Sequence, residues 1–273
     1  MKEPLVSVIC LCHNQAAFVA TAIHSVLEQT HQNVELILVD DGSTDDSKNV
    51  IKESLKGTAI TFIDIPEAVG NCKAFNRGFK ASKGDFIIDL AADDLLLPDR
   101  IKKGLETFSS KNIGVEYCDV ELINENGALM FVQSERYEPR EGNIYADLIR
   151  RYFISPPGMM IKRKVLEELD GYDESLSYED FDFWIRSSRL FEYGFTNLVL
   201  VKKKQLRDSL SARQKHFRSK HQKSTLQVCK KIKELNRSEE EDSALKRRIF
   251  YEVKQCIRTG NLNLIPAFIK LYL

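Results

Sequence analysis

Apolar and polar residues alternate in blocks along the first third of this chain, and each block has its own period. Leu5 to Cys12 is a near-continuous apolar run, opened by Pro4 and closed by His13-Asn14, which is the pattern of a strand covered by helices on both faces. Ala16, Val19, Ala22, Ile23, Val26 and Leu27 then recur at helical spacing, and Val34 to Val39 is a second apolar run. Strand, helix and strand in such close succession predict a right-handed parallel crossover. Residues 59–63 predict a third strand, Gly70 to Ser82 a helix, Phe86 to Leu90 a fourth strand, and Pro98 the opening of a further helix. This is the patterning of an α/β fold with a mainly parallel sheet flanked by helices.

The rhythm loosens after residue 113. Val115 to Val120 and Gly127 to Val132 flank Asn124-Glu125-Asn126-Gly127, whose Asn-Gly step is a hairpin signal. Ser155-Pro156-Pro157-Gly158 reads as a turn, expected at the surface. Phe181, Trp184 and Ile185 fall on one helical face and would seat a helix in the core. From Lys202 the chain turns basic, with Leu226, Cys229, Ile232 and Leu235 at helical spacing, a polar break from Asn236 to Asp242, a helix from Ala244 to Ile257, and a short apolar end from Leu262 to Leu273.

Charge sharpens that division. Forty basic and forty acidic residues cancel, but residues 1–201 carry 21 Lys/Arg against 33 Asp/Glu, and residues 202–273 carry 19 against 7. A tail of about +12 suggests an anionic partner. Basic helices ending in an apolar segment suit an anionic membrane surface, and they also suit packing against the rest of the chain. The six cysteines show no metal-ligand spacing; Cys10 and Cys12 share one strand face and read as core residues. Met1-Lys2-Glu3 leads straight into the first strand, too short a lead for a signal peptide, and no apolar run approaches the ~18 residues needed to span a bilayer. A cytoplasmic protein is expected, in peripheral contact with the inner face of the membrane.

The chemistry gathers at strand ends. The second strand ends in Asp40-Asp41-Gly42-Ser43-Thr44-Asp45, and the fourth leads into Asp93-Asp94. Gly42 makes the turn, and Ser43 or Thr44 would cap the next helix; capping needs neither Asp40 nor Asp41. Carboxylates at the carboxyl ends of parallel strands lie where open α/β sheets bind ligands. Two adjacent carboxylates call for a cation, here a hard one shared with substrate phosphates, or else form an acidic helix start. Lys73 and Arg77, on the helix from Gly70, are candidates to meet a diphosphate. Farther on, Tyr178-Glu179-Asp180-Phe181-Asp182 places carboxylates in the first turn of the Trp184 helix, where the helix dipole tolerates them without any function.

Four ordered segments carry a resemblance. Pro-Leu-Val-Ser-Val-Ile-x-x-x-His-Asn (4–14), Asp-Asp-Gly-Ser-Thr-Asp (40–45), Gly-Asn-x-x-Ala-x-Asn-x-Gly (70–78) and Gly-Asp-Phe-Ile-x-x-Leu-Ala-Ala-Asp-Asp-x-x-x-Pro (84–98) together resemble a family 2 glycosyltransferase of the GT-A fold, over about residues 4 to 210. The resemblance implies a GT-A domain over 1–210, with a nucleotide-sugar-binding half (1–112) and an acceptor half (113–210), followed by a basic helical C-terminal extension (211–273). It implies a nucleotide-diphospho-sugar donor, UDP-linked, a saccharide or lipid-linked acceptor, a divalent metal (Mn2+ or Mg2+), and inversion at the anomeric carbon. Asp41 would accept from the nucleobase and His13 lie against its ring; Leu11, Lys73, Ala92 and Asp93 complete the nucleotide-binding set. Asp93, last carboxylate of the family's D-x-D signature, would bind the metal, and Asp180 would be the general base, with Asp182 in reserve. Ala91 departs from the signature, standing where many members have its first aspartate.

Rival readings are a binding protein of the same fold with impaired transfer, supported by Ala91, and a nucleic-acid-binding protein, supported by the basic tail. The second lacks the aromatic-interleaved surface that single strands need. A dinucleotide dehydrogenase is disfavoured because no G-x-G-x-x-G follows the first strand.

Overall fold

The computed structural model describes residues 3–58, 60–108, 112–206 and 217–273. Inside its sheet lies β1 (Val6–Cys12), buried along its whole length, as its apolar run requires. It is flanked by β2 (Val34–Asp41) and β4 (Phe86–Ala91), with β3 (Thr61–Ile65) outside β2, all parallel. Cys12 stands opposite Asp40 and Leu11 opposite Ala91, so the acidic strand ends reach one edge together.

The other side of β4 pairs antiparallel with β8 (Met159–Lys162), and β8 in turn with β6 (Ile113–Ile123). β9 (Glu192–Lys204) runs parallel to β6, and the two-residue β5 (Leu95–Leu96) closes the sheet against it, Leu95 opposite Lys202. The expected hairpin forms between β6 and β7 (Leu129–Val132). The β5–β9 pairing matters most for function. It brings Lys202–Lys204, read from sequence as the start of a basic tail, back to the residues that follow β4.

Helices cover both faces. On one, α1 (Val19–Leu27), α2 (Ser47–Ser54) and α4 (Arg100–Thr107) bury Ile23, Ile51 and Ile101 against Cys10, Cys12 and Ile88. On the other, α3 (Asn71–Ala81), α6 (Tyr145–Arg150) and α8 (Asp180–Ser188) bury Phe75, Tyr145, Phe181 and Trp184 against Ile9 and Ile37. The short α5 (Gln133–Arg136) and α7 (Arg163–Glu168) lie between these elements in sequence. The C-terminal helices α9 (His221–Leu235), α10 (Glu239–Arg258) and α11 (Ile265–Tyr272) join the second core through Val228, Ile232, Ile249 and Phe268. Their inner faces therefore belong to the body of the molecule. No helix among the described residues is long and apolar enough to cross a membrane.

Three local expectations are corrected. The Ser155–Gly158 turn is not at the surface: Pro157 and Gly158 are buried in a 3-10 turn, because the fully buried Arg100 donates to the Gly158 carbonyl (2.7 Å) and so satisfies the backbone there. Ser43 and Thr44 do not cap α2; the Ser43 hydroxyl accepts the Asn14 amide and the Thr44 amide donates to Asn14, tying two loops together instead. Lys202–Lys204 end a strand of the sheet and do not open the tail. The start of the third strand at Ala59, the domain boundary at 210 and the basic run from Arg213 fall wholly or partly outside the described residues.

Candidate functional site

The sheet edge is built by loops that hold each other. After β1, Asn14 takes a left-handed backbone (φ 55), and its carboxamide oxygen accepts the Thr44 amide (2.7 Å). After β2, Gly42 (φ +66) lets the chain turn under residues 67–68; a Cβ there would stand 2.3 Å from the Ala68 nitrogen, so no side chain fits. That close approach lets Asp41 accept from two backbone amides, Val69 (2.7 Å) and Gly70 (2.9 Å), one on each oxygen. His13 is exposed, with Nδ1 2.6 Å from the Asp41 carbonyl and Nε2 3.3 Å from the Asn14 amide nitrogen. These partners assign the neutral tautomer with its proton on Nδ1. Asp40, fully buried, turns inward: its Oδ1 accepts the Ser43 amide, and Lys48 stands 3.7 Å away.

From here the other carboxylates are close. Gln15, in the loop of His13, favours the charged form of Asp93, and Asn71, directly after the amides that Asp41 holds, favours that of Glu179 beside Asp180. Asp94 accepts the Lys204 amide (2.9 Å), and Asp180 accepts the Phe181 amide on Oδ1 (2.8 Å). Asp94, Glu179 and Asp180 all act on the Asp89 carboxyl of β4, so they lie near one another. Ala92 is fully buried and donates its amide to the Leu11 carbonyl (2.9 Å), while Lys73 is exposed on α3.

The carboxyls of this region act on one another. Burial raises the Asp93 carboxyl, and burial with Asp93 beside it pushes Asp94 up to about 8. Burial and then Asp180 push Glu179 up to about 7, and burial raises Asp180 as well. Against these effects the Lys203 ammonium favours the charged form of all four carboxylates, so its field reaches both ends of the site. A fifth carboxyl, Asp89 on β4, is raised by burial and by Glu179, and accepts the Tyr172 hydroxyl (3.1 Å). Sequence reading missed Gln15, Asn71, Asp89, Tyr172 and Lys203 as members of this site. Asp89 shares a strand face with Ala91 and stands two residues before it, a spacing visible in the sequence; Lys203 arrives through a pairing distant in sequence.

The loop that presents Asp180 is held from behind by α9. Ser224 Oγ accepts the Ser177 amide (3.0 Å), Thr225 Oγ1 bonds the Tyr178 hydroxyl (2.7 Å), and Lys231 Nζ reaches Asp173 and Asp182 (2.6 Å each). Burial would raise Asp173, but Lys231 and Ser175 hold it down to about 2. Asp182, the reserve candidate for the base, is 1% exposed and also bonded to Arg186 (2.6 Å), which makes it structural. Beneath α8, the Arg248 guanidinium of α10 lies over Tyr152 (4.1 Å) and Phe181 (4.9 Å). We expect Lys231→Met to deprive Asp173 and the buried Asp182 of their shared cation and so to lower the melting temperature. Thermal melting checks this; a variant as stable as the parent would contradict it.

A cavity of about 600 Å³ adjoins Tyr172 and is lined by residues including Asn76, Lys80, Asp170, Arg186 and Lys231, and by none of Asp41, Asp93 and Asp180. Its Lys231 and Arg186 are paired with Asp173 and Asp182.

The model of the family described as glycosyl transferase family 2 matches residues 7–170. The chain belongs to glycosyl transferase family 2. It is 32% identical over 206 residues to an uncharacterized glycosyltransferase of Rickettsia typhi, covering 73% of this chain and 64% of that one. An uncharacterized glycosyltransferase of Methanocaldococcus jannaschii is 32% identical over 197 residues, 68% of this chain and 65% of the relative. The match thus spans a little under two thirds of these relatives' length. Among solved structures, S. aureus TarS 1–349 in complex with UDP-GlcNAc superposes with a TM-score of 0.75 at 15% identity, over 98% of this chain and 79% of that one. The mannosyltransferase PcManGT from Pyrobaculum calidifontis, in complex with GDP-Man and Mn2+, gives 0.68 at 16% identity, over 99% and 74%. The family 2 chain has the GT-A fold, a mixed α/β sheet with flanking helices and a helical C-terminal region.

Proposed function

We propose that this family 2 member is an inverting, metal-dependent glycosyltransferase of the hexosyltransferase type. It moves a sugar from a UDP-linked donor to an acceptor hydroxyl, on a saccharide or a lipid-linked saccharide, in making a surface polysaccharide or glycolipid. The observation that supports this reading is the sheet edge itself, where the parallel β1, β2 and β4 end together beside Asp41, with its two backbone amides, and the loop that carries Asp93. Structural neighbours bound to UDP-GlcNAc and GDP-Man support a nucleotide-sugar donor. Six unpaired, buried cysteines support a reducing, cytoplasmic setting.

The residues fit a divalent cation of one kind. Burial disfavours uncompensated charge on the adjacent Asp93 and Asp94, so a cation beside them would be favoured. Such oxygen donors suit Mn2+ or Mg2+ held by Asp93 and completed by substrate phosphates and water. When bound, the cation would offset charge developing on the leaving diphosphate. Asp41, already holding two amides, keeps a lone pair on each oxygen for a nucleobase N–H, and the tethered His13 ring would flank the base. Lys203, with Lys73, would face the diphosphate. Asp180, its Oδ1 fixed by the Phe181 amide, would take the acceptor's proton on Oδ2 as the hydroxyl attacks the anomeric carbon from the side opposite the leaving group. One base and one metal suffice for single displacement.

A panel of nucleotide-sugars tests the proposal. The expected result is metal-dependent release of nucleoside diphosphate from a UDP-sugar. Binding of UDP with no release from any donor would favour the impaired binding protein that Ala91 suggests.

A further inference from the structure

The outer side of the C-terminal helices carries a second surface. On α10, the inner face buries Leu245, Arg248, Ile249, Glu252 and Cys256. The opposite face exposes Lys246, Arg247, Phe250, Tyr251, Lys254, Ile257 and Arg258, positions that recur at three, four, seven and eight and so form one stripe. Phe250 is 60% exposed, Tyr251 51% and Ile257 60%. The Lys246 ammonium lies over the Tyr272 ring of α11 (5.6 Å), which joins this stripe to exposed Ile269, Lys270 and Tyr272. Across residues 243–273 five Lys/Arg are exposed; the one acid there, Glu252, is buried and paired with Arg248 (3.2 Å).

We infer that this α10–α11 face docks on an anionic phospholipid bilayer. The cations from Lys246 onward outnumber the exposed acids, Glu239, Glu240 and Asp242, which are confined to the first turn of α10, and match the negative surface potential of such a membrane, each adding attraction near the surface. Aromatic and aliphatic side chains between them reach the headgroup boundary while the lysine and arginine stems extend beside them. The mixture decides among occupants. Single-stranded nucleic acid would stack on the aromatic rings but leave Ile257 and Ile269 unmatched, and two copies of a mainly cationic face would repel each other. The docking itself does not depend on sugar transfer. If transfer occurs as proposed, the docked face lies about one helix diameter, roughly 10 Å, from Phe181 and the Asp180 loop, within reach of a lipid-linked acceptor.

Flotation of the full chain with vesicles of phosphatidylglycerol and phosphatidylcholine, against phosphatidylcholine alone, tests this. We expect binding to the anionic vesicles only. Joint K246E, R247E and K254E should lower it more than about tenfold, while F250S with Y251S should lower the fraction that survives high salt. In each variant the melting temperature and nucleoside-diphosphate release should match the parent, so that loss of docking is separable from loss of transfer. Equal partition to both vesicle types, no partition to either, or unchanged binding by the charge-reversed protein would overturn the inference. Retention of an oligonucleotide at physiological salt without vesicle binding, or a dimer in sedimentation that vesicles fail to disperse, would also overturn it and assign the face to that partner.

Discussion

Asp180→Asn should lower turnover by about a hundred- to ten-thousandfold, the range a positioned general base contributes, and leave UDP affinity unchanged. The amide keeps the side chain's shape and its acceptor oxygen for the Phe181 amide (2.8 Å in the parent), so the loop should keep its place while the proton acceptor is lost. The parent should also show an acid limb. Burial and Asp180 set Glu179 at about 7, and burial raises Asp180 above the ordinary range. Both carboxyls therefore keep protons to higher pH than free ones would. As pH falls, protonation of the raised Asp180 carboxyl depletes the base form, and kcat/KM declines at a higher pH than an ordinary aspartate would set. Turnover by Asp180→Asn equal to that of the parent would remove Asp180 from this role.

Glu116→Ala should cost about 3–5 kcal/mol of stability. Arg100 and Glu116 are both fully buried and meet at 2.8 Å, and Thr196 donates to the second carboxylate oxygen (2.6 Å). Among the described residues, Arg100 Nε and Nη1 have no hydrogen-bond partner. Removing Glu116 would leave a buried cation facing little more than the Gly158 carbonyl. For a chain of this size the loss corresponds to a melting temperature lower by roughly 10 °C. The paired change Arg100→Met with Glu116→Leu should return most of it, because an apolar pair of similar volume needs no desolvation of charge. Thermal and denaturant melts of the three proteins check this. A single variant as stable as the parent would contradict it.

Much of the fold was legible because the first strands are buried on both faces and punctuated by glycine and acidic turns. Leu5–Cys12 and Val34–Val39 need no tertiary information to be read as strands. The second half of the sheet was less legible. β9 and β5 find each other across more than a hundred residues, and nothing local in Lys202–Lys204 says that they end a strand beside Asp94. For the same reason the site could be named at Asp41, Asp93 and Asp180 but not at Lys203 or Asn71, whose membership is set by packing. Ser155–Gly158 misled because a turn's backbone is normally satisfied by water, and here Arg100 takes that place. Asp182 looked as available as Asp180, yet its neighbours Lys231 and Arg186 lie one or more helical turns or a whole helix away.

The account rests on Asp93 and Asp180 serving one bound donor in different ways. Calorimetric titration of UDP with Mn2+ into the parent, Asp93→Ala and Asp180→Asn tests that most directly. The predicted result is metal-dependent binding by the parent, retained by Asp180→Asn and lost by Asp93→Ala. Binding by Asp93→Ala as tight and as metal-dependent as the parent's would contradict it.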